Sequence, residues 1–169
     1  MKVVKSIKIS KNMKVSELVL EMEGAGFGAG RVAEASKIMN EMFRDDSCTV
    51  FFGVAGAMVP AGMKSLILDM LDDVDVFVTT GANLTHDLIE ALGEKHYQLE
   101  GKFEDSELHE KGLDRIYNVL MKNDVYGKLE DFFDDNWDKF ENCKTIKELL
   151  WKIGEVLFKN NLDKESILI

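Results

Sequence analysis

The sequence predicts an α/β fold in which two neighbouring strands are each followed by a small-residue turn and a helix. The first unit is "SCTVFFGVAGAMVPAGMKSLILDML", residues 47–71, and the second is "DDVDVFVTTGANLTHDLIEALG", residues 72–93. Each holds a short apolar, β-branched run that is typical of a strand buried on both faces. Strand–helix–strand–helix order at this spacing implies right-handed crossovers and a parallel sheet with flanking helices.

The first fifty residues predict an extended segment and two helices. Val3–Ile9 alternates apolar and polar residues, and a short helix is expected over Ser16–Glu23 with Ser16 as its cap. The glycine-rich "GAGFGAG", residues 24–30, then precedes an amphipathic helix over Arg31–Phe43. These glycines suit either a phosphate loop or a flexible connection, and the connection is favoured because no strand leads into them.

The central units have recognisable boundaries. The first strand is predicted over Cys48–Val54, and the helix after it ends at Leu71 with Pro60 in its first turn, where the missing N–H costs nothing. The second strand covers Val74–Val78, and Gly93 ends the helix that follows. Three side chains offer oxygen caps at the start of that second helix: Asn83, Thr85 and Asp87.

The remaining residues predict three helices, over Ser106–Leu120, Asp124–Phe140 and Thr145–Phe158. Thr145 and Glu148 have the spacing of a capping box at the start of the last one. The middle helix carries a row of carboxylates that resembles a metal cluster but contains no histidine, so a solvated face is favoured and no metal is expected. These carboxylates are Glu130, Asp131, Asp134, Asp135 and Asp138.

Composition indicates one globular domain over residues 1–169. The chain has 46% hydrophobic residues and a formal net charge of −10. This charge disfavours nucleic acid as a partner and is compatible with a cationic substrate or a basic protein, although solubility alone also accounts for it. Cys48 and Cys143 form neither a disulfide framework nor a metal spacing. The sequence shows no signal peptide and no membrane-spanning run, so we expect a cytoplasmic protein.

The two strand ends are the strongest candidate for a functional site. Ligands of parallel sheets bind outside the carboxyl ends of the strands, where small residues admit a cofactor and helix N-termini favour phosphate. Since "GVAGAMVPAG" is not a clean GxGxxG fingerprint, nucleotide binding and plain tight turns are equal alternatives. The small residues at the two ends are Gly53, Gly56 and Ala57, and Thr80, Gly81 and Ala82.

The histidines give a weaker signal. His86 is expected in the first turn of the second helix, where the helix N-terminus lowers its affinity for a proton. It could hydrogen-bond a ligand at the strand ends, but a surface histidine is the favoured interpretation. His96 and His109 lie in or near polar segments and indicate no function.

The central segments closely resemble the deoxyhypusine synthase family in its archaeal form. The resemblance continues in order through "GFGAGRVAEASKIM", "ELHEKGLDRIYNVL", "KLEDFF" and "TIKELLWKIGEVL", and it covers nearly the whole chain. It implies a Rossmann-like domain in a tetramer whose active sites lie at a dimer interface. It also implies NAD-dependent oxidation of spermidine, whose aminobutyl group passes through an enzyme lysine imine to a lysine of translation initiation factor 5A precursor.

The resemblance assigns site residues by motif. Gly56, Ala57, Met58, Val59 and Pro60 match the first NAD-contacting loop, and Thr80, Gly81 and Ala82 match the second. Thr85 and His86 stand where the eukaryotic branch has two glutamates near NAD and the polyamine. Because a threonine and a histidine attract an ammonium less than two carboxylates do, agmatine or another polyamine is an alternative to spermidine.

The sequence matches only the N-terminal half of this family's fold. The nucleophilic lysine, in its Ser-Trp-Gly-Lys setting, belongs to the other half. "LLWKIG" lacks the glycine and lies in a different family segment, so Lys152 is not that lysine. We therefore expect an N-terminal subunit or fragment of a split deoxyhypusine synthase that is inactive without a C-terminal half, in a tetramer-like hetero-oligomer. The alternatives are a non-catalytic regulatory subunit and part of a homospermidine synthase-like enzyme.

Overall fold

A computed structural model describes residues 1–160, 162 and 165–169 of the chain. These residues form two compact units, Met1–Val50 and Phe51–Ile169. The elements comprise helices, a two-stranded parallel sheet and a three-stranded antiparallel sheet. This confirms the α/β class, while the single domain expected over residues 1–169 stays a prediction.

The first unit is helical. Helix α1 covers Val15–Glu21, a 3₁₀ turn follows over Met22–Gly24, and helix α2 covers Phe27–Met42. Ser16 is wrong as a cap, because α1 begins one residue earlier and Lys14 is its N-cap. The glycine-rich segment connects the helices as predicted over residues 24–26, but the predicted start of the second helix at Arg31 is wrong, because α2 begins four residues earlier at Phe27. The segment Val3–Ile9 has no regular secondary structure; its link to the helices includes the backbone N–H of Lys5, which donates to the Gly24 carbonyl at 2.8 Å.

The second unit begins with the predicted parallel pair. Strand β1 covers Phe51–Val54 and strand β2 covers Val76–Thr79, in a register that pairs Val54 with Thr79. Helix α3, Lys64–Leu71, forms the crossover. The position predicted for Pro60 is wrong: it lies four residues before α3, in a series of turns that the loop makes first. The early start predicted for β1 at Cys48 is also wrong, since the strand begins at Phe51.

Helix α4 covers Gly81–Ala91 and ends as predicted at Gly93, which has φ 94°. The Gly93 N–H donates to the Glu90 carbonyl, and the Glu94 N–H donates to the Ile89 carbonyl. These two bonds satisfy the last turn of the helix in a Schellman motif, which glycine favours because it adopts positive φ without a steric penalty.

The helix predicted over Ser106–Leu120 is wrong. Helix α5 covers only Asp105–Glu110, and two antiparallel strands follow, β4 over Leu113–Ile116 and β5 over Val119–Lys122. Strand β3, Tyr97–Gln98, completes a sheet of order β3–β5–β4. Gly112 at φ 70° turns the chain out of the helix, and Tyr117 at φ 59° lies in the hairpin turn.

The last helices form most of the core. The helix predicted over Asp124–Phe140 is divided into α6, Val125–Asp135, and α7, Trp137–Phe140, and Asn136 at the break donates to the Phe132 carbonyl at 2.8 Å. Helix α8, Ile146–Lys159, has the predicted capping box. The acidic face predicted for α6 and α7 is exposed. The main core cluster consists of Leu88, Ala91, Phe132, Phe140, Ile153, Val156, Leu157 and Leu168.

Across the described residues, the helices are too short or too polar to cross a bilayer. Cys48 and Cys143 are free, half-buried thiols.

Candidate functional site

The two strand–helix turns lie side by side. Because Val54 pairs with Thr79, both loops leave the same edge of the parallel sheet. They approach so closely that a Cβ on Gly56 would lie 3.1 Å from Thr80 Oγ1 and 3.6 Å from Ala82 Cβ. The fold therefore brings together the two loops that the sequence predicted as one site.

The N-terminus of α4 opens onto this edge. Thr80 is the N-cap, and its hydroxyl oxygen accepts a hydrogen bond from the Asn83 N–H at 3.3 Å. The caps predicted at Asn83, Thr85 and Asp87 are wrong, because the helix begins at Gly81, ahead of all three. Thr80, Gly81 and Ala82 are exposed, and a Cβ on Gly81 would meet nothing within 4 Å. The start of α4 is thus accessible to solvent at Gly81 and Ala82, and a helix N-terminus that is accessible suits an anionic group.

Asn83 joins the two turns from beneath and is fully buried. Its Oδ1 accepts a hydrogen bond from the Val59 N–H at 3.1 Å, and its Nδ2 donates to Thr79 Oγ1 at 3.1 Å. The Thr79 hydroxyl in turn donates to the Val54 carbonyl at 3.0 Å. One amide side chain therefore fixes the first loop against the end of the second strand, a role that the sequence did not reveal.

The predicted residues of the first loop separate into two groups by exposure. Gly56, Ala57 and Met58 are partly or fully accessible, and Ala57 adopts φ 69°. Val59 and Pro60 are buried below them. Gly56, Ala57 and Met58 are therefore accessible to a ligand at this edge. Val59 and Pro60 are buried and support the loop.

His86 is buried rather than on the surface, with an exposed fraction of 8%. Its Nδ1 lies 3.1 Å from Nε2 of His96, and Nδ1 of His96 lies 2.8 Å from Oε1 of Glu90. The ammonium of Lys64 lies 2.8 Å from the other oxygen of Glu90. These four side chains, Lys64, Glu90, His96 and His86, form one continuous polar chain, which we call the histidine chain.

The pKa of His86 is lowered, as the sequence predicted, but for a different reason. Burial is the largest cause and the neighbouring His96 the second, while Glu90 opposes them. His86 is the sixth residue of α4 instead of a first-turn residue. The interpretation of His96 as uninformative is wrong. The i, i+4 spacing of His86 and Glu90 was the available signal, since it places both on one helix face.

Asp87 contacts the C-terminal segment instead of the strand ends. Its Oδ2 accepts hydrogen bonds from the Ser166 hydroxyl at 2.6 Å and from the Leu168 N–H at 3.2 Å. Its Oδ1 is buried and has no hydrogen-bond partner among the described residues. Burial raises the pKa of this carboxyl, and the hydrogen bond from Ser166 opposes the rise.

Thr85 borders a groove on the surface between α4 and α6. The groove is lined by aromatic, aliphatic and acidic side chains from α6: Tyr126, Leu129, Glu130, Phe133 and Asp134. Its two carboxylates are exposed and can attract a cation.

Lys152 lies on α8, away from both turns in the sequence, and pairs with Glu155 at 2.9 Å. That partner raises the pKa of the Lys152 ammonium. A raised pKa favours the charged form, which is the opposite of what a nucleophilic lysine needs.

Comparison with known proteins decides the family. The family model of deoxyhypusine synthase matches residues 17–169. The chain belongs to the deoxyhypusine synthase family. It is 43% identical over 169 residues to the probable deoxyhypusine synthase 1 of Methanosarcina acetivorans, covering 98% of this chain and 52% of the relative. It is 44% identical over 157 residues to the probable deoxyhypusine synthase of Methanothermobacter thermautotrophicus, covering 89% of this chain and 51% of the relative.

A more distant relative is the deoxyhypusine synthase-like protein of Chlorobaculum tepidum, which is 35% identical over 169 residues and is matched over 48% of its length. This deoxyhypusine synthase family chain therefore spans about half the length of the curated relatives that it matches. The proportion is consistent with the N-terminal half that the motifs predicted.

Proposed function

We propose that this chain contributes the N-terminal half of a deoxyhypusine synthase and works with a C-terminal half that supplies the nucleophilic lysine. The observation that carries this proposal is the open edge formed by the two turns, where Gly56 lies beside Thr80 and α4 begins with the exposed residues Gly81 and Ala82. In this proposal the complete enzyme transfers the aminobutyl group of spermidine to a lysine of translation initiation factor 5A precursor.

The residues present fit part of an NAD site. Gly56, Ala57 and Met58 would contact the dinucleotide from the first loop, and Thr80, Gly81 and Ala82 from the second. Exposed backbone N–H groups at a helix N-terminus suit its pyrophosphate, and the absence of a side chain at Gly81 permits close approach. NAD supplies the hydride acceptor when bound, and the chain's own residues supply orientation.

Val59 and Pro60 would act from behind the first loop, since both are buried. The Val59 N–H is bound to Asn83, so this residue fixes the loop rather than offering a donor to the cofactor. His86 would contact NAD or an amine through the 8% of the residue's surface that remains exposed.

A cationic amine suits the surroundings of the proposed site. The chain has a net charge of −10, and the groove beside Thr85 carries the carboxylates of Glu130 and Asp134. These acids partly compensate for the glutamates that Thr85 and His86 replace, because they can attract an ammonium at longer range. Spermidine or a related polyamine is therefore the proposed donor.

The exposed apolar surface supports a protein partner. Within the parallel pair Phe51 is 68% exposed and Val78 is 55% exposed, and on α8 Trp151 and Phe158 are 63% and 62% exposed. Large apolar side chains at this exposure on a two-stranded sheet favour coverage by further elements. In the proposed hetero-oligomer, which is tetramer-like and cytoplasmic, the C-terminal half provides that coverage.

The test is complementation. This chain is coexpressed with the half of the Methanosarcina acetivorans relative that it does not match. The purified mixture is then assayed for NAD- and spermidine-dependent labelling of translation initiation factor 5A precursor. We expect labelling that disappears when either half or NAD is omitted. Gly81→Val should weaken NAD binding and labelling, whereas Gly127→Val, at an open position on α6, should leave both unchanged.

The assay also separates the competing functions. Stable association without labelling would contradict the proposal and favour a regulatory subunit. Transfer of the aminobutyl group to a free amine, with no protein labelling, would favour a homospermidine synthase-like enzyme.

A further inference from the structure

The histidine chain links His86 to a half-buried ion pair between Lys64 and Glu90. Lys64 is the first residue of α3, Glu90 lies near the end of α4, and His96 follows the turn at Gly93. The side chains of Lys64, Glu90 and His96 are 13%, 20% and 5% exposed. Hydrogen bonds among groups this well shielded from water constrain one another's protons.

Glu90 fixes the direction of the chain. Burial raises the pKa of Glu90, but the hydrogen bonds from His96 and Lys64 outweigh burial and hold the pKa below its ordinary value. The side chain is therefore a carboxylate, which only accepts hydrogen bonds. It follows that Nδ1 of His96 carries a hydrogen and donates it to Glu90.

The donor assignment continues to His86. In neutral His96 the proton on Nδ1 leaves Nε2 as an acceptor, so Nδ1 of His86, 3.1 Å away, must be the donor. Nε2 of His86 then has a lone pair, and no protein group in the described part of the chain is bonded to it. A second proton on His96 would reverse this, because both nitrogens of His96 would donate and His86 would have to accept at Nδ1.

We propose that His96 is a positioning residue for His86, holding the neutral ring in its Nδ1–H tautomer so that Nε2 accepts a hydrogen bond or proton from an ammonium ligand. This inference rests on the proposed function for the identity of the ligand, an aliphatic polyamine. Transfer would move the ammonium proton to Nε2 of His86, whose Nδ1–H would stay hydrogen-bonded to His96. His86 gains the one proton that the amine loses, and the amine gains the lone pair that its oxidation requires.

Other charged groups face this region from neighbouring elements. Asp87 on α4 is directed to Ser166 and Leu168, and α6 presents Tyr126, Glu130 and Asp134 near Thr85. The direct bonds of His86 and His96 are to each other and to Glu90, so substitutions in the histidine chain should dominate the tautomer.

The test reads the ring nitrogens of the ¹⁵N-labelled full chain by long-range ¹H–¹⁵N NMR, which distinguishes a protonated from an unprotonated nitrogen. At neutral or slightly alkaline pH we expect His86 as the Nδ1–H tautomer. His96→Phe removes the acceptor and should shift the tautomer ratio by about fivefold to tenfold toward Nε2–H, the equivalent of one hydrogen bond. His96→Gln should retain the Nδ1–H tautomer, because its amide N–H₂ can donate to Glu90 and present its carbonyl to His86.

Two further variants complete the design. In Glu90→Gln the amide can donate to Nδ1 of His96, so that His96 can carry its hydrogen on Nε2. His86 would then accept at Nδ1 and should move toward its Nε2–H tautomer. This variant tests the proposal even if His96→Phe does not fold. His109→Phe, on the exposed face of α5, is the matched control and should change neither ring. A wild-type His86 in the Nε2–H form, or a tautomer ratio unaffected by both His96→Phe and Glu90→Gln, would overturn the proposal.

The ring signals are recorded without nicotinamide or amine, so they are independent of the complementation assay. A failed labelling assay with the predicted tautomers would contradict the proposed function but not the control of His86 by His96. In an active complemented enzyme, His96→Phe should lower kcat with little change in KM, and His96→Gln should restore kcat.

Discussion

Replacing Asn83 with alanine tests how the two turns are joined. The substitution removes the acceptor of the Val59 N–H and the donor to Thr79 Oγ1, each at 3.1 Å, from a fully buried position. A net contribution of about 1 kcal/mol for each hydrogen bond, with a penalty of about 1–3 kcal/mol for the buried N–H left unpaired, gives a loss of about 3–5 kcal/mol in the free energy of unfolding.

Urea unfolding followed by circular dichroism measures this loss. In a thermal scan the same change should lower Tm by roughly 6–20 °C for a chain of this size. Asn142→Ala is the matched control, since Asn142 is exposed and, among the described residues, its side chain makes one hydrogen bond, at 3.4 Å to Glu141. This variant should stay within about 0.5 kcal/mol of wild type. A similarly small loss for Asn83→Ala would refute the reasoning.

A double-mutant cycle locates the coupling. Thr79→Val keeps the shape of the side chain but removes the hydroxyl that links Asn83 to the Val54 carbonyl. Because the two residues share one network, the combined loss should differ from the sum of the single losses by about 0.5–3 kcal/mol. Strict additivity would mean that Asn83 stabilises the fold without acting through Thr79.

Three further substitutions test other contacts. Gly154→Ala would make a Cβ clash with the Leu168 carbonyl oxygen, so it should destabilise the fold by about 1–3 kcal/mol in urea unfolding. Gly127→Ala in α6 has open space around its Cβ and should be neutral or stabilising by about 0.5–1 kcal/mol. The pKa of Asp87 is higher in the folded state than its ordinary value of 3.8. The charged side chain therefore lowers the stability of the fold at pH values above the folded-state pKa. Stability is regained as the pH falls from that pKa toward 3.8. The free energy of unfolding of Asp87→Asn, relative to wild type, should therefore be most favourable near neutral pH and should decline as the pH is lowered. Unfolding at several pH values measures this difference, and a difference that does not change with pH would contradict the prediction. Thr145→Ala removes the capping bond of α8 and should cost about 1 kcal/mol, and an unchanged unfolding midpoint would show that the cap is not needed.

Local sequence determined the elements whose signals lie within a few residues of one another. The strand–turn–helix order around β1 and β2, the end of α4 at Gly93 and the capping box at Thr145 all follow from neighbouring side chains and backbone preferences. The two strand ends were also predictable as one site, because carboxyl ends of adjacent parallel strands must meet at one edge. Family motifs then added specific residues to that edge.

Tertiary structure decided the features that depend on distant partners. Leu113, Ile116 and Val119 have spacing that also suits a helix, and only pairing across the β4–β5 hairpin and with β3 shows that they belong to strands. Asn83 looked like a cap because its partner, the Val59 N–H, is 24 residues away in the chain. The sequence alone thus determined the order of the elements from β1 to α4 and the meeting of their two turns at one edge of the sheet. Burial and long-range hydrogen bonds, which no local pattern encodes, decided that His86 is an interior residue controlled by His96.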